Sequence, residues 1–192
     1  MTDWKDRLTK TLEPILRKSD PRPEISAYHD MPYAIFRYEP SAEFAVRAEL
    51  TMLKTRLEQA GKRVTIISLA DCLMAALTAE QMSIVDLGEA EVSVGLPSVI
   101  ETLASVLSDY QPLDQIVAER LPQASDPLKD VVFITRAGHL FPFYRTHALL
   151  EQMKGKVTVP AILLYPGDLD GAAGLRFMGV LDADSNYRPK IF

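Results

Sequence analysis

Cysteine is nearly absent: Cys72 is the one cysteine in 192 residues. An internal disulfide framework is therefore excluded, and a lone thiol suits a reducing compartment. Long apolar runs are missing too. The opening MTDWKDRLTK has no apolar core of signal-peptide length, and nothing later approaches the roughly 20 residues that a bilayer span needs. These absences predict a cytoplasmic protein without membrane association. Positive charge is in the minority, with 21 Lys and Arg against 26 Asp and Glu and a net charge of −5. Proteins that coat DNA through its phosphates are usually basic on at least one face, so DNA contact is expected to be weak or indirect. Low-complexity segments and internal repeats are also lacking.

What remains is ordinary globular material. Hydrophobic residues make up 47% of the chain, enough for a real core. The length suits one domain over residues 1–192. The last third sets the pattern. Val131–Thr135 and Val159–Tyr165 are short β-branched or aliphatic runs that read as buried strands. Between them Pro142–Met153 has helix length and is closed by Gly155, so the unit is a parallel crossover. Phe177–Leu181 reads as a short end strand.

Earlier segments repeat the alternation. Tyr33–Tyr38 is the first strand, and Pro40-Ser41 opens a helix with Ser41 as its expected N-cap. Val46, Leu50, Leu53 and Leu57 mark that helix's buried face, and Gly61 ends it. Arg63–Leu69 is the second strand, followed by a helix from Asp71. Ser83–Leu96 reads as a loop with a short strand or turn. Helices then open at Pro97-Ser98 and at Pro112. At the N-terminus, Trp4, Leu8, Leu12, Ile15 and Leu16 form an apolar stripe over residues 1–18, interrupted by Pro14. Packing on its own domain is the plainer role for this helix, and docking on a partner is the sharper one. Ser19–Glu24 is a Pro-containing linker. The sum is a three-layer α/β sandwich with a mainly parallel sheet of four or five strands.

Four places hold residues that carry chemistry elsewhere. The turn after the first strand sits where a phosphate-binding loop belongs, yet Arg37-Tyr38-Glu39-Pro40-Ser41-Ala42-Glu43 has no glycine and no lysine. The fold thus resembles a nucleotide-binding core without its phosphate-binding loop, and no cofactor is expected. Arg136-Ala137-Gly138-His139 ends the third strand, the edge where ligands settle in open α/β sheets. His139 there is a general-base candidate and Arg136 an anion clamp, but no nucleophile adjoins them. His139 and His147 lack an evident third ligand, so zinc is not expected. Asp168, Asp170, Asp182 and Asp184 sit among turn signals and read as turn organisers. The tail over 186–192 combines Tyr187, Arg188, Lys190, Ile191 and Phe192. Its apolar residues call for docking, on the domain itself or on a partner.

The run PAILLYPGDLDGAAGLRFMGVLDADSNYRPKIF resembles the end of the BrxB family, encoded in BREX phage-defence loci. The segments YAIFRYEPSAEF and VVFITRAGHLFPFYRTHALLEQM extend the resemblance over most of the chain. The resemblance implies a bacterial defence system that methylates host DNA and blocks phage replication. It implies partners among PglX, a methyltransferase, PglZ, a phosphatase-like protein, and BrxC, an ATPase, with PglZ first and BrxC second. It implies no reaction. The reading is a non-enzymatic adaptor whose docking residues are Trp4, Leu8, Leu12, Arg136, His139, Tyr187, Arg188, Lys190 and Phe192. The alternatives are a cryptic enzyme or nucleotide binder at Arg136 and His139, and a DNA-binding accessory subunit using Arg176, Arg188 and Lys190.

Overall fold

A computed structural model describes residues 3–26, 32–171, 174–182 and 189–192. Five strands lie parallel: β1 (Tyr33–Tyr38), β2 (Arg63–Ser68), β3 (Asp130–Thr135), β4 (Ala161–Asp170) and β6 (Lys190–Ile191). Their order across the sheet is β2-β3-β4-β1-β6, and β5 (Gly174–Phe177) pairs antiparallel with the far half of β4. The helices are α1 (3–16), α2 (Arg22–Ile25), α3 (Glu43–Gln59), α4 (Leu69–Ala79), α5 (Ile84–Val94), α6 (Leu96–Ser105), α7 (Leu113–Ala118) and α8 (Thr146–Gln152).

Side-chain alternation divides the sheet between two cores. Tyr33, Ile35, Val132, Ile134, Ala161 and Leu163 face α4, α7 and α8. Ala34, Phe36, Val131, Phe133, Ile162 and Leu164 face α1 and α3. Both faces are thus covered, which explains why β3 is buried at every position and reads as continuous apolar sequence. The connection from β1 to β2 passes over the α3 face and skips two strands, and the chain then steps back through β3 and β4 over the other face.

The N-terminal helix closes the α3 face. Trp4, Leu8, Leu12 and Leu16 are fully buried there. Their atoms are engaged in the protein's own core, the plainer of the two roles read from the stripe. Pro14 does not break this helix. Residues Arg7–Leu12 widen to a π-helical turn, with the Glu13 N–H donating to the Leu8 carbonyl, and the α-helix resumes over Glu13–Leu16. Ionic contacts fix α1 on α3. Arg56 donates to both oxygens of Glu13, at 2.9 Å from Nη2 to Oε2, and to Glu49 at 3.1 Å. Lys5 pairs with Glu49 at 2.9 Å and Arg17 with Glu13 at 2.8 Å. Burial works to raise the Glu49 carboxyl, but hydrogen bonds from Lys5 and Arg56 overcome it and hold the group below its ordinary value.

Several sequence expectations need correction. The stretch Ser83–Leu96, read as a loop, contains α5, with Ser83 Oγ accepting from the Asp86 N–H at 3.1 Å and Asp86 Oδ2 accepting from the Ser83 N–H at 2.8 Å. The capping box is visible in the sequence, but the helix has no fully buried face to create a periodic signal. Ser41 is not an N-cap. It lies in a 3-10 turn, Pro40–Ala42, and α3 starts only at Glu43. The linker holds a helical turn, α2, braced by Asp20 against Arg22. The helix expected from Pro142 starts at Thr146, after a 3-10 turn at Ala137–Leu140. The end strand is Gly174–Phe177, with a turn after it rather than a strand to Leu181. Asp168 and Asp170, placed on loops by the sequence, lie on β4, while Asp184 is outside the described residues.

Gly167 makes the β4–β5 hairpin possible: a Cβ there would meet the Arg176 carbonyl oxygen at 2.3 Å. The α1–α3 network generates a stability test. Arg56→Met leaves Glu13 and Glu49 buried with less compensation and is expected to cost about 2–4 kcal/mol at pH 7 by urea unfolding, as breaking a buried ion network does. Wild-type Glu49 is depressed in the folded state, so its contribution is complete above about pH 4.5 and is lost as pH falls through its lowered value. Arg56→Met is therefore expected to approach wild type at acid pH, and an unchanged gap between the two down to pH 3 would contradict this role.

Candidate functional site

The loops leaving β1 and β3 turn to opposite faces of the sheet, with β4 between them. A crevice at the carboxyl ends of strands is the expected result of such a divergence. It is present as a cavity of about 290 Å³ lined by Pro40 and Glu43 after β1, Gly138 and His139 after β3, and Pro166 and Met178 from the β4–β5 hairpin. A second hollow of about 220 Å³, on the α3 side, is lined by residues that include Arg47, Ser68, Asp71, Thr135 and Arg136.

Arg136 and His139 are brought together as the sequence suggested. Arg136 Nη2 lies 3.0 Å from His139 Nε2, and Arg136 Nη1 lies 3.3 Å from Asp71 Oδ1. Guanidinium only donates, so Nε2 accepts and the imidazole carries its proton on Nδ1. The lone pair that a general base would use is therefore engaged. Burial first, and the Arg136 charge second, hold His139 below its ordinary value. Arg136 adopts a left-handed backbone, φ 60°, which is unusual for a residue with a Cβ and aims its side chain back across the strand ends.

The neighbouring groups are similarly occupied. The Tyr38 hydroxyl donates to Glu43 Oε2, and burial, then Glu43, pushes its pKa upward. Ser68 caps α4 by accepting from the Asp71 N–H at 3.2 Å. Thr135 Oγ1 donates to the Ile67 carbonyl at 3.2 Å. Cys72 is buried and its thiol is pushed up to about 11, mainly by desolvation. Among the described residues, no group of three or more His, Cys, Asp or Glu side chains is arranged to hold a metal ion. No described helix is long and apolar enough to cross a membrane.

The other sequence candidates fall elsewhere. Trp4, Leu8 and Leu12 are buried beneath α1. Lys190 and Phe192 lie on the β6 edge, where Phe192 exchanges main-chain hydrogen bonds with Ile35 and Arg37. Arg176 pairs with Asp170 at 2.8 Å. Tyr187 and Arg188 are outside the described residues.

One surface was missed altogether. Helix α5 exposes Ile84, Val85 and Val92, with Val92 90% and Val85 68% exposed. Val85, Gly88 and Val92 are three and four residues apart and share one face. Only Leu87 and Ala90 turn partly inward, toward Leu77, Val99 and Leu103. A sequence signal for this region exists: residues 64–119 contain nine carboxylates and no Lys, Arg or His. Exposed Asp86, Glu89, Glu91 and Glu101 belong to that stretch.

The fold and the crevice define a parallel α/β sandwich with a ligand-type edge whose polar groups are tied to one another. The family model described as "BREX protein BrxB" matches residues 65–191. A Bacillus cereus (strain H3081.97) protein of that description is 23% identical over 164 residues, covering 83% of this chain and 82% of that protein. The chain belongs to the BrxB family, and membership points to a role in BREX phage defence. No solved structure matches it significantly.

The Arg136–His139 contact yields a pH test. A histidine depressed in the folded state takes up its proton more readily in the unfolded chain, so stability falls as pH drops below about 6.5. His139→Gln keeps an acceptor and removes the titration. Between pH 7.5 and 5.5 its urea midpoint is expected to fall less than that of wild type. Identical slopes would show that His139 is not held neutral by its burial and the Arg136 charge.

Proposed function

We propose that this protein is a non-enzymatic adaptor that joins other BREX components by direct protein contact. The observation that carries the reading is α5, an exposed helix with an aliphatic face inside a cation-free, acidic stretch. Soluble proteins rarely leave a rimmed apolar face without a partner. Carboxylates around such a face favour a partner segment with an apolar stripe flanked by Lys and Arg, and oppose nucleic acid. The occupied donors and acceptors at Arg136, His139, Tyr38 and Glu43 agree with a binding role. PglZ is the first partner to test and BrxC the second.

The test is co-expression with each component and size-exclusion chromatography at moderate salt. Comigration with one of them is expected. Val92→Arg places a cation on the docking face at a position with no packing to lose, so the fold is retained while binding weakens by about 2 kcal/mol, the scale of an interface hot spot. Unchanged comigration of Val92→Arg would remove α5 from the interface. Absence of comigration with any component, together with retardation of duplex DNA at physiological salt, would replace the adaptor with a DNA-binding subunit.

A further inference from the structure

A cavity of about 360 Å³ lies at the opposite end of the sheet order from β2, between α1 and the β1–β6 edge. It is lined by Arg7 and Thr11 from α1, Arg37 from β1, Leu169 from β4, and Lys190, Ile191 and Phe192 at β6. Three cations converge on it, and no Asp or Glu side chain is among its described lining residues. Folding has drawn them from three separate elements, against their mutual repulsion.

Arg37 and Lys190 have capacity left, and Arg7 adds charge behind them. Arg7 uses Nε on Asp3, at 2.9 Å, and its guanidinium lies 5.3 Å over the Phe36 ring. Its Nη1 and Nη2 are buried and have no hydrogen-bond partner among the described residues. Arg37 contributes its main-chain N–H to the Phe192 carbonyl, while its guanidinium makes no hydrogen bond or ion pair among the described residues. Lys190 donates to the Glu24 carbonyl at 3.0 Å and sits 4.7 Å over the Phe192 ring, neither of which neutralises its charge. Arg37 and Lys190, with the positive charge of Arg7 beside them, make a concave face whose described lining holds no Asp or Glu side chain, and such a face is a place for an anion.

We infer that this cavity binds a phosphate group, held by Arg37 and Lys190 with the charge of Arg7 beside them, over the apolar floor of Leu169, Ile191 and Phe192. Guanidinium forks match phosphate oxygens two at a time, and three cations suit a multiply charged group better than a single carboxylate. A free phosphorylated molecule and the 5′ end of a nucleic acid both present that group. The site is separate from α5 and does not depend on partner docking there.

Pyrophosphate serves as the probe, compared with chloride at matched ionic strength and pH by thermal melting and calorimetry. Wild type is expected to melt several degrees higher with pyrophosphate and to bind it saturably. Arg37→Gln removes a side chain that has no hydrogen-bond or ion-pair partner to lose among the described residues. It is expected to melt no lower than wild type without anion, to bind pyrophosphate at least tenfold more weakly, and to keep comigrating with the BREX partner. Lys190→Gln provides a second variant with the same expected loss of affinity. A matched pair of single-stranded oligonucleotides, with a 5′-phosphate or a 5′-hydroxyl, separates the two sources: preference for the phosphorylated one assigns a nucleic-acid end, and equal weak binding of both assigns a free phosphorylated molecule. Equal melting shifts in wild type, Arg37→Gln and Lys190→Gln, or no saturable binding to wild type, would overturn the site.

Discussion

The pairing of β1 with the far end of the chain is the constraint on which the structure depends. Residues Tyr33 to Tyr38 find both of their neighbours beyond Pro160: β4 on one side and β6 on the other. Nothing between α3 and β3 pairs with β1. The first strand therefore has no ladder until the last strands exist, and closing so long a loop has an entropic cost that only the completed sheet offsets. The crevice at the strand ends exists because β1 and β3 flank β4. The cationic cavity exists because β6 reaches back to Arg37 and lies beneath α1.

The second face of the sheet depends on α1 in the same way. One side of the sheet is covered by α4, α7 and α8, but the other has α3 and α1 alone as its long helices. Removing Trp4, Leu8, Leu12 and Leu16 would expose Phe36 and its neighbours to water, at a cost of about 25 cal/mol per Å². The buried ion network between Arg56, Glu13 and Glu49 sets where α1 lies on α3. Lys62 adds a clamp at its end, donating to the Lys18 and Leu128 carbonyls and so tying the end of α1 to the entry into β3.

Strands were legible in the sequence because burial on both faces makes them continuous β-branched runs, as Val131–Thr135 shows. The α1 stripe was legible because its inward face follows helical spacing. Other features were not, for identifiable reasons. Helix α5 hides from periodicity because its apolar residues face outward, and only Ser83 and Asp86 betray its start. The β4–β5 hairpin hides because close approach at Gly167 depends on Arg176, which has no sequence signature. The pairing of Arg136 with His139 follows from neighbourhood in sequence, but the role of its Nε2 needed the left-handed turn at Arg136. Arg7, Arg37 and Lys190 lie so far apart in the chain that only the strand order unites them.

Helix α5 has no fully buried side chain, and its apolar outer face takes no part in the sheet's two cores. The sheet's packing therefore places few demands on that outer face. Substitutions on the outer face of α5 leave the packing of β1, β3 and β4 untouched. Under the adaptor reading proposed above, that separation would let a docking surface be retuned without re-solving the fold beneath it.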